Sequence, residues 1–268
     1  MALASAPNLP AVQALERGDA FYARRAEGSH DGIARTEMVD RAIAEYREAI
    51  ALDPTAYEPR LALLRSFFFR GGFCGLSGRE QIAIFDEAMK LSEQTVKALD
   101  VDMARRKGRV RSDAADQPIP AAMIYTWAAV SWGEWAVSHH VSAAFQRAPG
   151  RIRDLATAAI QIDPSAEQGG ALVVLGRLHN ECPRIPLLTT WVSRPEGTRF
   201  LRLARTTAPK NPANAYFLAE ALLGLSPPAT EEARSLLEWS VHAVPRPEYL
   251  VEDAHYSIEA RALLAQLH

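Results

Sequence analysis

His179 and Cys182 stand three positions apart in HNEC. On a helix that spacing brings an imidazole and a thiolate to one face, which could begin a zinc site. Zinc needs three or four ligands, and the sequence shows no third, so packing near a helix end is the expected role. His139 and His140 are adjacent and point about 100° apart on a helix, so they cannot share a metal within one regular turn. The neighbouring carboxylates Glu231 and Glu232 follow Thr230 at an expected helix start, where capping and the helix dipole account for them without acid-base catalysis. Asp53 and Asp163 each precede a proline and fit helix termination. There is no GxSxG, HExxH, P-loop or GxGxxG pattern. No catalytic residue, metal or cofactor is therefore assigned, and the chain is read as not an enzyme.

The aromatic residues carry more information. The stretch TWAAVSWGEWA holds Trp127, Trp132 and Trp135, three of the five tryptophans. At 100° per residue they fall at about 0°, 140° and 80°, one arc with Ala128 and Ser131 between them, and Gly133 lies almost opposite. That geometry predicts a broad aromatic face and a back where another helix can come close. Each buried indole N–H needs an acceptor, and three together make a large polar demand for a dry core. Two readings stay open: aromatic packing between helical hairpins, or the wall of an apolar ligand cavity or partner groove. The candidate surface comprises Tyr125, Trp127, Ser131, Trp132, Trp135 and, from a later loop, Trp191.

These residues must be positioned by helices. Of the 268 residues 48% are hydrophobic, enough for a substantial core. The formal net charge of -2 gathers neither nucleic acid nor an anionic membrane. The densest basic run, RRKGRVR at Arg105 to Arg111, reads as a solvated loop. Cys74 and Cys182 leave room for one disulfide and for no CxxC pair. No apolar run approaches the roughly 18 residues of a membrane span, and MALASAPNLP lacks the pattern of an export signal. The expectation is a cytoplasmic protein, or an exported one whose signal has been removed.

Periodicity and Pro/Gly punctuation predict an all-α chain, residues 1–268 forming a single domain. About eleven helices are expected, near 11–26, 36–51, 57–70, 79–104, 119–142, 148–161, 166–181, 195–207, 212–224, 229–243 and 250–267. An internal repeat runs through them. Ala42, Tyr46, Ala49 and Pro54 are separated by four, three and five residues, as are Ile152, Ala156, Ala159 and Pro164. Gly197, Leu201, Ala204 and Pro209 repeat the spacing, and so do Ala233, Leu237, Ser240 and Pro245. Each stripe lets a neighbouring helix approach closely, and proline then stops the helix.

The stripes resemble the second helix of a tetratricopeptide (TPR) repeat, with Leu63, Phe67, Gly71 and the LGRL segment at Leu175 to Leu178 matching first helices. The prolines are unevenly spaced, so the resemblance implies degenerate TPR-like hairpins, closed into a compact bundle more readily than opened into a regular superhelix.

From Tyr125 to Leu222, and more broadly over residues 121–245, the chain resembles the T-component (TatT-like) proteins of TRAP transporters. The matching elements are YTWAAVSWGEWA, a helix ending in IDP, GGALVVLGRLHNECP, and a helix closing in AP before KNPANAYFLAEALL. The resemblance implies a periplasmic, non-enzymatic transport accessory that docks a solute-binding protein, with self-association into a homo-oligomer and a small apolar ligand as further expectations. The chain departs from the family in lacking a lipobox cysteine near its start, so no anchor is carried over. It departs also in the long apolar stretch PRIPLLTTWVSRPEG, which could cap a cavity, face a partner, or simply wrap Trp191 onto the bundle. The alternative is a cytoplasmic TPR-type scaffold for protein–protein interaction.

Overall fold

Proline and aspartate end several helices where the sequence places those stops. The computed structural model describes residues 8–107, 120–139, 143 and 146–267. Within them are eleven α-helices and no strand. The helices are α1 (Leu9–Ala23), α2 (Thr36–Leu52), α3 (Glu58–Phe73), α4 (Gly78–Lys107), α5 (Ala121–Ser138), α6 (Ala148–Ile162), α7 (Ala166–Glu181), α8 (Arg194–Thr207), α9 (Pro212–Leu223), α10 (Thr230–His242) and α11 (Leu250–Ala265). The fold is all-α.

Two turns show how local chemistry sets the boundaries. Asp53 follows α2 and its Oδ1 accepts from Thr55 N at 2.9 Å and Thr55 Oγ1 at 2.7 Å. Asp163 follows α6 and does the same with Ser165, at 2.8 and 2.6 Å. Those hydrogen bonds hold both carboxyls below the usual aspartate range. At α10 the sequence reading needs correction: Ala229 takes the cap position, held by Leu222 O, and Thr230 is already helical. Glu231 and Glu232 do lie in the first turn, where Glu232 also pairs with Arg202. Helix α4 runs on to Lys107, so the basic run begins inside it, and Gly108 to Arg111 lie outside the described residues. His140 to Ser142, included in the expected fifth helix, also lie outside them.

The repeated stripes are all buried. Ala42, Tyr46 and Ala49 are at most 1% exposed, and Ala156, Ala159, Ala204, Ala233, Leu237 and Ser240 are fully shielded. In two of the four stripes the larger residue sits over a glycine of the preceding helix. A Cβ at Gly18 would lie 2.5 Å from the Tyr46 ring, and one at Gly176 would lie 2.8 Å from Leu201 Cδ2. Phe85 of α4 does the same to Gly71 of α3. Burying a residue such as Leu201 or Phe85 contributes about 1.5–3 kcal/mol, and the glycine allows the approach that makes this burial complete. Gly176→Ala is accordingly expected to cost about 1–3 kcal/mol by overpacking, read as a lower denaturant midpoint. An unchanged midpoint would show that α7 and α8 can separate without penalty.

Successive helices pack as neighbours, and the odd-numbered ones form an inner layer. Contacts run from α1 to α3, α3 to α5, α5 to α7, α7 to α9 and α9 to α11, and α11 returns to α3. Several features hold this closure. A Cβ at Gly32 would meet the His255 backbone at 2.7 Å, so only glycine lets the α1–α2 connection touch α11 there. Arg25 Nη2 donates to Glu252 Oε1 at 2.9 Å, and the Phe73 and His255 rings lie 5.2 Å apart, edge to face. The even-numbered helices cover the outside.

Candidate functional site

The inner layer does not fill its own centre. A cavity of about 1550 Å³ lies between the odd-numbered helices, with the start of α6 and the Cys182–Ser193 loop completing its wall. Its apolar surface comes from Phe68 and Phe69 of α3, Trp127 and Val130 of α5, Phe217 of α9 and Tyr256 of α11. These aromatics are linked: Phe68 meets Trp127 at 5.5 Å between centroids, and Phe217 meets Tyr256 at 5.1 Å.

Helix α5 turns an unexpected side to this space. Its cavity face is Thr126, Val130, Gly133, Glu134 and Val137, with Trp127 at one margin. Gly133 was expected to admit a neighbouring helix, but a Cβ there would meet nothing within 4 Å. The opposite face packs against α4 and α6. Trp132, 2% exposed, lies under the Arg151 guanidinium at 4.8 Å and edge-on to Trp135 at 5.5 Å. Trp135 Nε1 donates to Asp86 Oδ1 at 2.9 Å and its ring stacks on His139. Tyr125 donates to Asp100 Oδ1 at 2.5 Å, while Ser131 Oγ donates to the Trp127 carbonyl at 2.8 Å.

Of the six residues singled out in sequence, Trp127 and Trp191 therefore line the cavity. Tyr125, Ser131, Trp132 and Trp135 face other helices or the α5 backbone. The reason is that the arc of rings spans the boundary between two environments: Trp127 lies on the α3 side, and Trp132 and Trp135 lie on the α4 and α6 side.

Trp191 belongs to the long loop, which is tied internally. Thr189 Oγ1 donates to Pro183 O at 2.6 Å and accepts from Ile185 N at 2.7 Å. At its tip Leu187 is 98% exposed with φ of 66°, a left-handed conformation that costs a non-glycine residue about 1–2 kcal/mol. Trp191 packs edge-on against His179 at 5.3 Å, with Arg153 over its other face at 4.8 Å. His179 Nδ1 accepts from Ser193 N at 3.1 Å, and Cys182 is a free thiol, as is Cys74. Among the described residues no group of three or more His, Cys, Asp or Glu is placed to hold a metal.

Burial lowers the His179 pKa below its ordinary value of about 6.5. A protonated ring could not accept the Ser193 N–H. The folded value is the lower one, so the unfolded chain takes up protons first, and stability present above about pH 6.5 is lost as pH falls below it. His255 is shifted in the same direction by burial. An NMR titration is expected to place His179 below its free value; a midpoint at or above about 6.5 would contradict this packing.

Charge inside the cavity is mostly paired. Arg65 is bound to Glu167, Arg25 to Glu252, Arg177 to Glu181 at 2.7 Å, and Arg246 to Asp253 at 2.5 Å. The Arg65 and Arg246 groups clamp a distorted turn. Glu167, Gln168 and Gly169, at the start of α7, have φ of 51°, 57° and 78°. Two adjacent non-glycine residues in this region cost about 1–3 kcal/mol each unless their surroundings hold them. Arg65 holds the first through its carboxylate, and Arg246 holds the second through Gln168 Oε1.

Sequence reading missed Glu134. It is the one charged residue of α5, and that isolation in AAMIYTWAAVSWGEWAVS was the available signal. Among the described residues it makes no hydrogen bond and no ion pair. Burial raises its pKa above the ordinary glutamate value, with Arg177 opposing and Glu181 adding to the rise. For Arg177 burial acts to lower the pKa, but the charge and hydrogen bond of Glu181, with Tyr256 and Glu134, raise it overall, so the guanidinium is charged.

No protein-family model matches this chain, and no curated protein matches it. No helix of the described residues is long and apolar enough to cross a membrane.

Proposed function

We propose that the protein is a non-enzymatic accessory of a TRAP-type solute transport system: periplasmic, built to dock a solute-binding protein, and holding a ligand in its central cavity. The observation that carries the reading is the cavity itself. At about 1550 Å³ it exceeds the roughly 300–1,000 Å³ of ordinary small-molecule sites, and aromatic rings line it. Helices α5, α7 and α9, which supply much of the wall, fall within the stretch that resembles the T-component proteins. The groups inside are arranged as ion pairs rather than as a nucleophile beside a base, in keeping with binding rather than catalysis. A scaffold with an extended groove is less well supported, because α11 packs back onto α3 and closes the inner ring.

The exposed apolar tip at Leu187 and Leu188, beside the cavity, gives a docking partner something to cover. Native mass spectrometry of the protein co-expressed with a TRAP solute-binding protein tests the proposal. A complex at micromolar concentration is expected, and the same spectra count the copies of this chain. Absence of association with every such partner would remove the transport reading.

A further inference from the structure

The cavity's charge balance points to a class of ligand. Its interior arginines are each engaged by an acid: Arg25 by Glu252, Arg65 by Glu167, Arg177 by Glu181 and Arg246 by Asp253. Asp19, Arg147 and Glu248 also line the space but are exposed, and the part-exposed Arg153 is paired outward with Asp154. Glu134 is left as the interior carboxylate without an ion-pair partner. Around it the acids outnumber the bases, because Glu181 lies close by and Arg177 already binds that residue in bidentate fashion, at 2.7 and 3.3 Å. Nearby surfaces are aromatic and apolar. Phe217 lies under the Arg177 guanidinium at 4.7 Å and Tyr256 packs on Phe217. Along α5, Val130 and Val137 flank Glu134 one turn to either side, and Trp127 follows two turns away.

Inside the cavity an anionic ligand would have to break one of four existing pairs to find a free arginine, because Arg147 lies exposed at the margin. A neutral ligand would leave Glu134 without a counter-charge in a confined space, which is costly. A protonated amine supplies that charge, and aromatic walls suit both an ammonium and an apolar body. We propose that the cavity is a receptor for an organic cation: an amine with an apolar body lying along the Gly133 face of α5 and its ammonium against Glu134. This rests on reading the cavity as a ligand site. Burial at Glu134 strengthens any such ion pair relative to one at the surface, where screening by water would reduce it.

Isothermal titration of the full chain with octylamine, octanol and octanoate tests the inference. Octylamine is expected to bind most tightly and octanoate least. Glu134→Gln keeps the side-chain volume and is expected to weaken octylamine by about ten- to a hundred-fold, the range for a hydrogen bond to a charged group, while octanol binding is unchanged. Octanoate binding as tightly as octylamine would overturn the charge assignment while leaving the cavity reading intact, and so would an indifferent Gln variant. The wild-type ranking of the three probes needs no variant to fold. If none of them binds, both the cation assignment and the ligand-site reading fail.

Discussion

Asp253→Ala is expected to destabilise the protein by about 3–5 kcal/mol, the range for breaking a buried pair from one side. The Asp253 side chain is 2% exposed and that of Arg246 is 15% exposed. Its Oδ2 accepts from Arg246 N at 2.8 Å and Nε at 2.9 Å, and its Oδ1 accepts from Nη2. Arg246 also reaches Gln168 Oε1 and Asn211 Oδ1, so the same guanidinium ties α11 to the distorted turn of α7 and to the N-cap of α9. Removing Asp253 strands a charge where three elements meet. For a chain of this size the loss corresponds to a fall on the order of 10 °C in the unfolding midpoint by calorimetry. Glu232→Ala, which breaks the exposed pair with Arg202, is expected to cost at most about 1 kcal/mol. Equal effects from the two substitutions would mean that the Arg246 cluster does not organise the inner ring.

Trp132→Ala is expected to cost about 3–5 kcal/mol, through lost transfer energy and the cavity left behind. The ring is wedged between α5 and α6 with Met89 of α4 in the same core, so no neighbour can collapse into its place without moving a helix. Trp127→Ala removes a ring of equal size from a wall that already borders open space, and its cost should be clearly smaller. Denaturant titration of the two variants decides the matter. If Trp127→Ala proves the more destabilising, the assignment of one ring to the cavity and the other to the core is reversed.

Much of the architecture was legible because it follows local rules. Helix α2 begins at Thr36 and α9 at Pro212, both where expected, and the four repeated stripes are buried as their spacing requires. The α4 counterpart of these stripes escaped notice because Gln81 stands where a small residue would, although Phe85 and Ala88 keep the spacing. The cavity was harder to see. A helical wheel gives the arc of Trp127, Trp132 and Trp135, but not which sector of that arc meets a neighbour, since that depends on how α3, α4 and α6 surround α5. Gly133 shows the difficulty: a glycine in a helix reads as a place of close approach, as Gly18, Gly71 and Gly176 are, yet here it faces space. The closing contacts of Gly32 with His255 and Arg25 with Glu252 join residues more than 200 positions apart, which no local pattern reports.

If the space beside Gly133 is a ligand site, filling it abolishes binding without unfolding the protein. Gly133→Phe adds a ring there at a position with room for it, and relieves part of the roughly 0.5–1 kcal/mol that a glycine within a helix costs relative to alanine. Titrating octylamine into wild type and Gly133→Phe, with the unfolding midpoint of each recorded, tests the claim most directly. Wild type is expected to bind and the variant not to bind, while the variant's midpoint stays level or rises. Equal binding by the two proteins, or a variant that loses binding only because it has lost its fold, would contradict the claim.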